Sequence, residues 1–243
     1  MARPPSLPEI GATVWATWPG KAVTPTPAFD LRRSGDDSRR ARAATLNRPA
    51  TDAEVAEAAA TMRSWGQPAM FWVPSDQPEL EAQLSRLGYL DHDHSVYYGA
   101  PVEVLAARTP PRLSTFEIWE PLAIMADIWA ATGTSPARQE VMARATCPKT
   151  AILGRVDAQP AGVTYVGAHG ATAMVHAVGT LEKHRRKGLG AQMMAQASLW
   201  AAGAGCTWIT LAVGAGNTAA RGLYASLGMT PIGTYHYRSL EEP

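Results

Sequence analysis

One short stretch constrains the fold more than any other, the loop 185–190, whose sequence has the pattern Arg-x-x-Gly-x-Gly. An alternating run at 172–181 precedes it and predicts a strand, and the residues at 188–202 predict an amphipathic helix. Glycines in such a loop let the backbone turn sharply and bring its N–H groups within reach of a phosphate. Because the helix N-terminus adds about half a positive charge, the stretch predicts an α/β fold that binds a diphosphate.

Two common diphosphate-binding motifs are excluded by the residues around this loop. A nucleotide-hydrolysing P-loop needs Gly-Lys-Ser/Thr, whereas Gly190 is followed by Ala191 and Gln192. A dinucleotide-binding fold needs three spaced glycines and a later acidic residue within a βαβ unit, and neither is present. Local positive potential comes from Lys183, Arg185, Arg186 and Lys187. The loop therefore predicts a diphosphate ligand of another kind.

Consecutive prolines in the segment 106–112 exclude both a helix and a central strand, so we interpret this segment as a linker. It separates an N-terminal part, residues 1–108, from a part of domain size, residues 113–243. The second part has the predicted order β-α-α-β-β-β-α-β-α-β, at 116–119, 121–131, 135–145, 150–156, 162–166, 172–181, 188–202, 208–213, 217–227 and 229–238. This order predicts a mixed sheet with helices on both faces.

An internal repeat relates the two parts at a constant offset of 140 residues, with 188–213 aligned on 48–73. Identity is low, and chance similarity between two helix-strand-helix units is the alternative to common ancestry. The residues Arg185, Gly188, Gly190, Asn217 and Tyr224 correspond to Thr45, Arg48, Ala50, Gln77 and Leu84. Too few residues precede Ala28 to supply the earlier elements as well. We therefore interpret the first part as a truncated copy that has lost ligand binding.

Two motifs at the right separation resemble the GNAT acetyltransferase superfamily over roughly 113–238. They are the segment 178–190 and the later residues Asn217, Ala220, Leu223, Tyr224, Gly228 and Met229. Glu182 replaces a frequent proline and Met229 a frequent phenylalanine, and neither departure removes a phosphate contact. The resemblance implies a GNAT-type mixed, mostly antiparallel sheet flanked by helices, an α/β (α+β) fold preceded by a partial GNAT-like N-terminal domain. It also implies acetyl-CoA as co-substrate.

The resemblance further implies which residues would bind acetyl-CoA. They are Val178, Gly179, Thr180, Arg185, Arg186, Lys187, Gly188, Leu189, Gly190, Ala191, Asn217 and Tyr224. The strand residues would pair with the pantetheine arm, and the loop would hold the pyrophosphate. An N–H near Val178 would stabilise the oxyanion, typically by about 3 kcal/mol. Tyr224 would protonate the leaving thiolate, whose conjugate acid has a pKa near about 8.5.

His176 is the leading candidate for the base that accepts a proton from the amine. Strand alternation would place it on the same face as Val178 and Thr180. The alternative is a hydrogen-bonded histidine with no role in proton transfer. Glu182 is the second candidate for a catalytic base, with a solvated carboxylate as its alternative.

The expected function is N-acetyl transfer from acetyl-CoA to a primary amine of a small molecule or peptide, by direct attack in a ternary complex. The alternative is a CoA-binding sensor or regulatory module without turnover, against which the presence of Asn217 and Tyr224 argues. With a net charge of +1 and no aromatic residues among the loop's basic side chains, nucleic acid is not an expected partner. The first part is hypothesised to pack as a second protomer would and to close the acceptor cleft. The chain would then be a monomeric pseudo-dimer or a homodimer.

Other residues receive plainer interpretations. The run 91–94, Asp-His-Asp-His, is expected to be a solvated strand edge, and no metal is expected. Trp15 and Trp18 are candidates for the wall of an acceptor pocket, while Cys147 and Cys206 fit no metal or redox spacing. The N-terminus lacks the apolar core of a signal peptide, and no stretch approaches the roughly 20 apolar residues that span a membrane. The expected location is the cytoplasm.

Overall fold

The N-terminal part contains five helices and five strands among the residues that the computed structural model describes, which are 3–35 and 38–240. The helices are α1 (Leu7–Thr17), α2 (Arg39–Arg42), α3 (Asp52–Ser64), α4 (Pro78–Arg86) and α5 (Val102–Ala106). The strands are β1 (Ala22–Pro25), β2 (Phe29–Arg33), β3 (Thr45–Leu46), β4 (Met70–Pro74) and β5 (Leu90–Pro101). Ser6 and Thr51 cap α1 and α3, each with a glutamate three residues later that binds back to the cap.

The C-terminal part follows an irregular connection at 107–114. Its strands are β6 (Thr115–Ile118), β7 (Lys149–Val156), β8 (Gln159–His169), β9 (Thr172–Thr180), β10 (Trp208–Gly214) and β11 (Thr230–Ser239). Its helices are α6 (Ala123–Ala131), α7 (Pro136–Arg144), α8 (Leu189–Gly203) and α9 (Thr218–Ser226), with a 3-10 turn at Glu182–His184. The predicted order of elements and the mixed α/β fold class are confirmed.

The hairpin between β7 and β8 shows how the local sequence determines the local fold. Asp157 and Ala158 form its two-residue turn and have positive φ angles of 51° and 61°. Positive φ at both central residues matches the right-handed twist of the flanking strands. β7 ends at Val156, as the sequence predicted, whereas β8 begins at Gln159, three residues earlier than the predicted 162.

Both parts of the chain contribute to one sheet, with the strand order β4-β11-β5-β10-β9-β8-β7-β6. The last strand of each part pairs with the other part: β5 lies antiparallel to β10, and β11 lies antiparallel to β4 and β5. At the repeat offset, β5 and β11 are equivalent strands, and so are β4 and β10. The two copies have thus exchanged their final strands. Because one sheet spans them, the division into domains at 108 and 113 stays a prediction.

Helices cover both faces of this sheet and enclose its cores. On one face, α8 packs on β7, β8 and β9 through Met193, Met194 and Ala197, all buried. On the other face, α1 and α6 pack on β8 and β9, around Trp18, Trp129 and Tyr165. A separate cluster lies between α3, α4 and the first strands. Of the helices in the described ranges, none combines the length and the apolar character that crossing a membrane requires.

Candidate active site

The glycine loop opens the N-terminus of α8. Arg186 and Gly188 have positive φ angles of 64° and 77°, and Gly188 is the N-cap residue without a side-chain cap. The N–H groups of a helix's first turn have no carbonyl partner within the helix, so those of Leu189, Gly190 and Ala191 are available to a ligand. A nearby pair joins Lys187 to Asp157, with 3.1 Å between Nζ and Oδ2. The loop thus presents amides and basic side chains together.

A cleft of about 500 Å³ lies against this loop, and we call it the loop cleft. One wall is the backbone of β9 at Val178, Gly179 and Thr180. The opposite wall is α9, through residues that include Asn217 and Tyr224. The floor and the far end are formed by His184, Arg185, Arg186, Gly188, Leu189, Gly190 and Ala191. Every predicted cofactor-binding residue except Lys187 therefore lines a single cleft.

The cleft exists because β9 and β10 separate. Their parallel pairing runs from Trp208 opposite Thr172 to Leu211 opposite Val175 and ends there. The next residues of β9 remain paired with β8 only, so their N–H and C=O groups on the other side are open to a ligand. An extended chain such as pantetheine can bind to such an edge as an added strand would.

A β-bulge interrupts β9 at the point where the strands separate. His176 pairs with Tyr165 and Gly179 with Val163, so Ala177 and Val178 lie opposite one residue of β8. Ala177 has a φ of 50°, and its carbonyl accepts a hydrogen bond of 2.9 Å from Trp129 Nε1. Trp129 therefore does more than fill the core, because it holds the bulged backbone.

The bulge corrects the prediction that His176 and Val178 share a strand face. Val178 packs against the core beneath α8, whereas His176 stacks on Trp18 on the opposite face, with 4.9 Å between ring centroids. One extra residue in the strand reverses the alternation beyond it. The two side chains consequently lie on opposite faces of the sheet.

Both ring nitrogens of His176 have partners. The Thr17 hydroxyl donates to the Thr13 carbonyl, so it accepts from His176 Nε2 at 2.8 Å. His176 Nδ1 is left to accept from Arg40 Nη1 at 2.9 Å. Burial, followed by the charge of Arg40, holds the pKa of His176 well below its ordinary value. The ring is neutral, and its one basic nitrogen is occupied by a guanidinium.

A second cavity, of about 550 Å³, lies on the His176 side of the bulge, and we call it the arginine cavity. The C-terminal part supplies His176, Ala177, the residues 214–217, Thr134, Arg138, Tyr235 and Tyr237. The N-terminal part supplies Trp18, Ser38, Arg39, Arg40, Asp93, His94 and Ser95. Asn217 lines both cavities. Ala177 lines the arginine cavity, and the next residue, Val178, lines the loop cleft. The two cavities meet where β9 and β10 separate.

Tyr224 and Asn217 are fixed by α9. Asn217 caps this helix, its Oδ1 accepting from the Ala220 N–H at 3.1 Å. Tyr224 lies two turns later, buried beside Tyr98 at 6.1 Å between ring centroids. Burial raises the pKa of Tyr224 to about 12. The phenol is therefore protonated at neutral pH and can donate a proton or a hydrogen bond.

Two sequence interpretations fare differently in the structure. Glu182 is exposed on the 3-10 turn and lines neither cavity as they are described. The run 91–94 is mostly exposed, as expected for a solvated strand edge: β10 pairs with β5 only as far as Ser95, so within the sheet this run pairs with β11 alone. His94 binds Asp91 at 2.6 Å and borders the arginine cavity. Within 3–35 and 38–240, no three metal-binding side chains converge.

Arg40 and Thr17 are the site residues that the sequence did not reveal. The local signal is a dense group of arginines at 39–42, and such a pattern does not separate a buried guanidinium from an exposed one. Trp18, by contrast, lines the arginine cavity as suggested, while Trp15 packs instead against Arg32 and Trp72. The N-terminal part does line this cavity, in agreement with the hypothesis that it closes the acceptor cleft. That the acceptor binds in this cavity stays a prediction.

Comparison with known proteins bears on the identity of this site. The family model described as "Acetyltransferase (GNAT) family" matches residues 122–229, which include α6 to α9. No curated protein matches the chain. A GCN5-related N-acetyltransferase from Kribbella flavida is similar in structure, with a TM-score of 0.72 and 20% identity over 96% of this chain and 95% of that one.

Two further solved structures share the whole fold. A functionally unknown conserved protein from Staphylococcus epidermidis has a TM-score of 0.67 at 14% identity, over 92% of this chain and 95% of that one. A tandem GNAT protein from the clavulanic acid biosynthesis pathway has a TM-score of 0.65 at 14% identity, over 100% of this chain and 90% of that one. At these identities the likeness is one of fold, and it extends across both parts of the chain.

Proposed function

Since this chain belongs to the acetyltransferase (GNAT) family through its C-terminal half and is an acyltransferase of that family, we propose that it transfers the acetyl group of acetyl-CoA to a primary amine. The observation that carries this proposal is the junction of the two cavities at the β9 bulge. A donor held along β9 on one side can meet an acceptor held on the other. Transfer in a ternary complex needs such an arrangement of two sites around one reacting centre.

The loop cleft fits acetyl-CoA by the chemistry of its residues. The uncapped first turn of α8 and the side chains of Arg185 and Arg186 suit the pyrophosphate. Lys187 supplies positive charge beside them, although it pairs with Asp157 and does not line the cleft. The unpaired side of β9 at Val178, Gly179 and Thr180 suits the amide groups of pantetheine, with Asn217 across the cleft.

The chain's own groups then have defined tasks in the reaction. The N–H near Val178, at the bulge, would stabilise the developing oxyanion of the thioester carbonyl. The neutral amine forms the new C–N bond and the C–S bond breaks. Tyr224 donates its proton, or a hydrogen bond, to the departing thiolate and regains any lost proton from solvent; its raised pKa keeps the phenol protonated at neutral pH.

His176 and Glu182 do not take the role of base in this proposal. Nδ1 of His176 already accepts from Arg40, and its lowered pKa opposes proton uptake at neutral pH. Glu182 lies outside the described linings of both cavities. The amine therefore loses its proton to water in the arginine cavity, whose walls are polar on several sides. Positioning of two reactants supplies most of the rate, up to about 7–11 kcal/mol in the best cases.

The test combines binding with turnover. Calorimetry with acetyl-CoA should show binding, and release of free thiol should show turnover with at least some members of a broad panel of primary amines. Tyr224→Phe should lower kcat by about 100-fold while leaving the Kd for acetyl-CoA unchanged. Tyr89→Phe is a matched control, because Tyr89 is a buried tyrosine in the separate core of the N-terminal part. Binding without turnover across the panel would instead favour a CoA sensor, and absence of binding would refute both.

A further inference from the structure

Arg40 is a guanidinium that faces a cavity and has no carboxylate partner among the described residues. Its Nη1 donates to His176 Nδ1 at 2.9 Å, and its Nη2 donates to the Tyr235 hydroxyl at 3.1 Å. Its Nε is buried and has no hydrogen-bond partner in the described ranges. Both acceptors are neutral groups, so the charge of Arg40 is not balanced by them. A half-buried, permanently charged group without a counterion loses hydration that nothing replaces, and a bound anion offsets that cost.

The neighbouring Arg39 lines the same cavity, and its charge is balanced by a carboxylate. Arg39, the preceding residue, forms an ion pair with Asp93 across the cavity wall. Arg40 instead uses two of the five N–H donors that a guanidinium carries, on a histidine and a tyrosine. These contacts orient the planar group but leave donors for a ligand. Carboxylates bind to this fork in a bidentate manner.

The support beneath Arg40 indicates a position that is held rather than incidental. His176 is itself fixed by Thr17 on one side and by stacking on Trp18 on the other. Tyr235 packs against Tyr97 and Tyr237, with ring centroids 4.7 Å and 5.5 Å away. Rigid second-layer groups of this kind hold a binding side chain in one geometry.

Arg40 also lies close to the reacting centre. It contacts the strand at His176, two residues before Val178, where the acetyl group would lie. The cavity of about 550 Å³ has room for more than the smallest amino acid.

We propose that the acceptor carries a carboxylate, which binds to Arg40 while its amine lies at the β9 bulge. The substrate class is then a free amino acid or a related amino-carboxylate, and the N-terminal part of the chain sets this specificity. This inference rests on the proposed function, since it names the acceptor of the same reaction.

The experiment uses matched pairs of amines in which an amide replaces the carboxylate: glycine with glycinamide, β-alanine with β-alaninamide, and L-phenylalanine with L-phenylalaninamide. Because the amide also lowers the pKa of the amine, rates are compared at equal concentrations of the neutral amine. Initial rates are measured for the full-length protein and for Arg40→Gln, Arg40→Lys and Arg63→Gln. Arg63 is an exposed arginine at the end of α3 and serves as the matched control. Calorimetry with acetyl-CoA is run on every variant.

The wild-type protein should prefer the acid of at least one pair by a factor on the order of 100 in kcat/KM. Arg40→Gln should bring that ratio close to one through a higher acceptor KM, Arg40→Lys should keep part of it, and Arg63→Gln should keep all of it. Acetyl-CoA binding should not change. The wild-type ratio needs no variant, so a poorly folded Arg40→Gln protein does not spoil the test.

Equal rates for acids and amides in the wild-type protein would overturn the inference and leave the proposed function standing. An acid preference that survives in a folded Arg40→Gln protein would overturn the role of Arg40. Failure of the wild-type protein to bind acetyl-CoA would refute the proposed function itself, and the inference with it.

Discussion

Two helix N-termini occupy equivalent places in the two halves of this chain, and they are built in opposite ways. α8 begins after Gly188, whose left-handed backbone leaves the first turn without a side-chain cap. α3 begins after Thr51, whose hydroxyl accepts from the Glu54 N–H, while the Glu54 carboxylate binds back to the Thr51 N–H. Hydrogen bonds from Arg48 and, to a smaller extent, from the Thr51 N–H lower the pKa of Glu54 to about 2. The carboxylate at this helix N-terminus is therefore ionised at neutral pH. One end attracts an anion and the other end already holds one.

The same contrast continues in the second helix of each repeat. Asn217 caps α9 and lines both cavities, whereas Gln77, at the equivalent place before α4, makes no capping hydrogen bond. Tyr224 borders the loop cleft, and its counterpart Leu84 is buried in an apolar core. The fold of the repeat is thus kept in the N-terminal half, while the open helix N-terminus and the tyrosine of the C-terminal half have no counterpart there. What the N-terminal half contributes instead is two strands of the sheet, β4 and β5, and one wall of the arginine cavity.

The largest predicted effect concerns the exchanged strands. Residues 113–243 expressed alone should not give a folded enzyme, because β5 lies between β10 and β11 and is missing from that fragment. Its loss leaves two strands with unpaired edges, which are prone to aggregation. Solubility, circular dichroism and acetyl-CoA turnover of the fragment measure the outcome.

A nicked protein provides the control for this truncation. A protease site placed in the irregular connection at 107–114 would cut the chain without removing any strand. The two pieces should stay associated through the shared sheet and remain active. A soluble fragment 113–243 with full activity would show that the catalytic half does not need the first half.

The next prediction converts the open helix start into the closed one. Ala191 occupies the third position of α8, and Glu54 occupies the third position of α3. Ala191→Glu therefore gives α8 the carboxylate that α3 has in the N-terminal half. A negative charge beside the phosphate position should weaken acetyl-CoA binding on the order of 100-fold. An acidic residue in a first helical turn should at the same time leave thermal stability equal or slightly higher. Calorimetry and thermal denaturation measure the two effects separately.

Ala191→Gln separates charge from size in that experiment. Glutamine has nearly the shape of glutamate but no charge, so its binding loss should be much smaller. If both variants weakened binding equally, steric blockage rather than the charge at the helix start would explain the contrast between α8 and α3.

The features that were predictable from sequence are those that short segments determine. The glycine loop, its strand and its helix follow from residues within about one helical turn of one another, as do the caps and the Asp157-Ala158 turn. The order of elements in the C-terminal half needs no more than such local patterns. The residues that line the loop cleft were predicted through the resemblance to the GNAT superfamily, whose two motifs are likewise short segments.

The features that were not predictable depend on contacts between distant segments. The bulge at Ala177 and Val178 is set by pairing with β8 and by Trp129, so alternation alone placed His176 on the wrong face. In the strand exchange, β5 pairs with β10 of the C-terminal half and not with β4 of its own half. The periodicity of the sequence does not determine which of these strands becomes the partner. Arg40 reaches the site from a four-residue helix in the half that was interpreted as degenerate.

The smallest predicted effect concerns His176, where Arg40 of the N-terminal half contacts the C-terminal half. It tests whether His176 positions Arg40 or acts as a catalytic base. His176→Asn keeps an acceptor atom near the place of Nδ1 for Arg40 but removes any imidazole base. If His176 positions Arg40, kcat should change little and the acceptor KM should rise by less than about tenfold, the cost of one altered hydrogen bond. His176→Leu, which gives Arg40 no acceptor, should raise that KM further.

A catalytic base at His176 would behave differently, and pH distinguishes the two roles. Loss of a base would lower kcat by about 100-fold or more and remove a limb of the pH profile. The lowered pKa of His176 has a separate consequence for stability: it lies well below the ordinary value of 6.5 in the folded state, so below that pH the unfolded chain binds more protons. The wild-type protein should therefore lose stability as the pH falls from 6.5 toward the lowered pKa, and His176→Asn should lack this component. A kcat loss that exceeds the KM change, together with a lost limb of the pH profile, would restore His176 as the base and leave the N-terminal half with a structural role only.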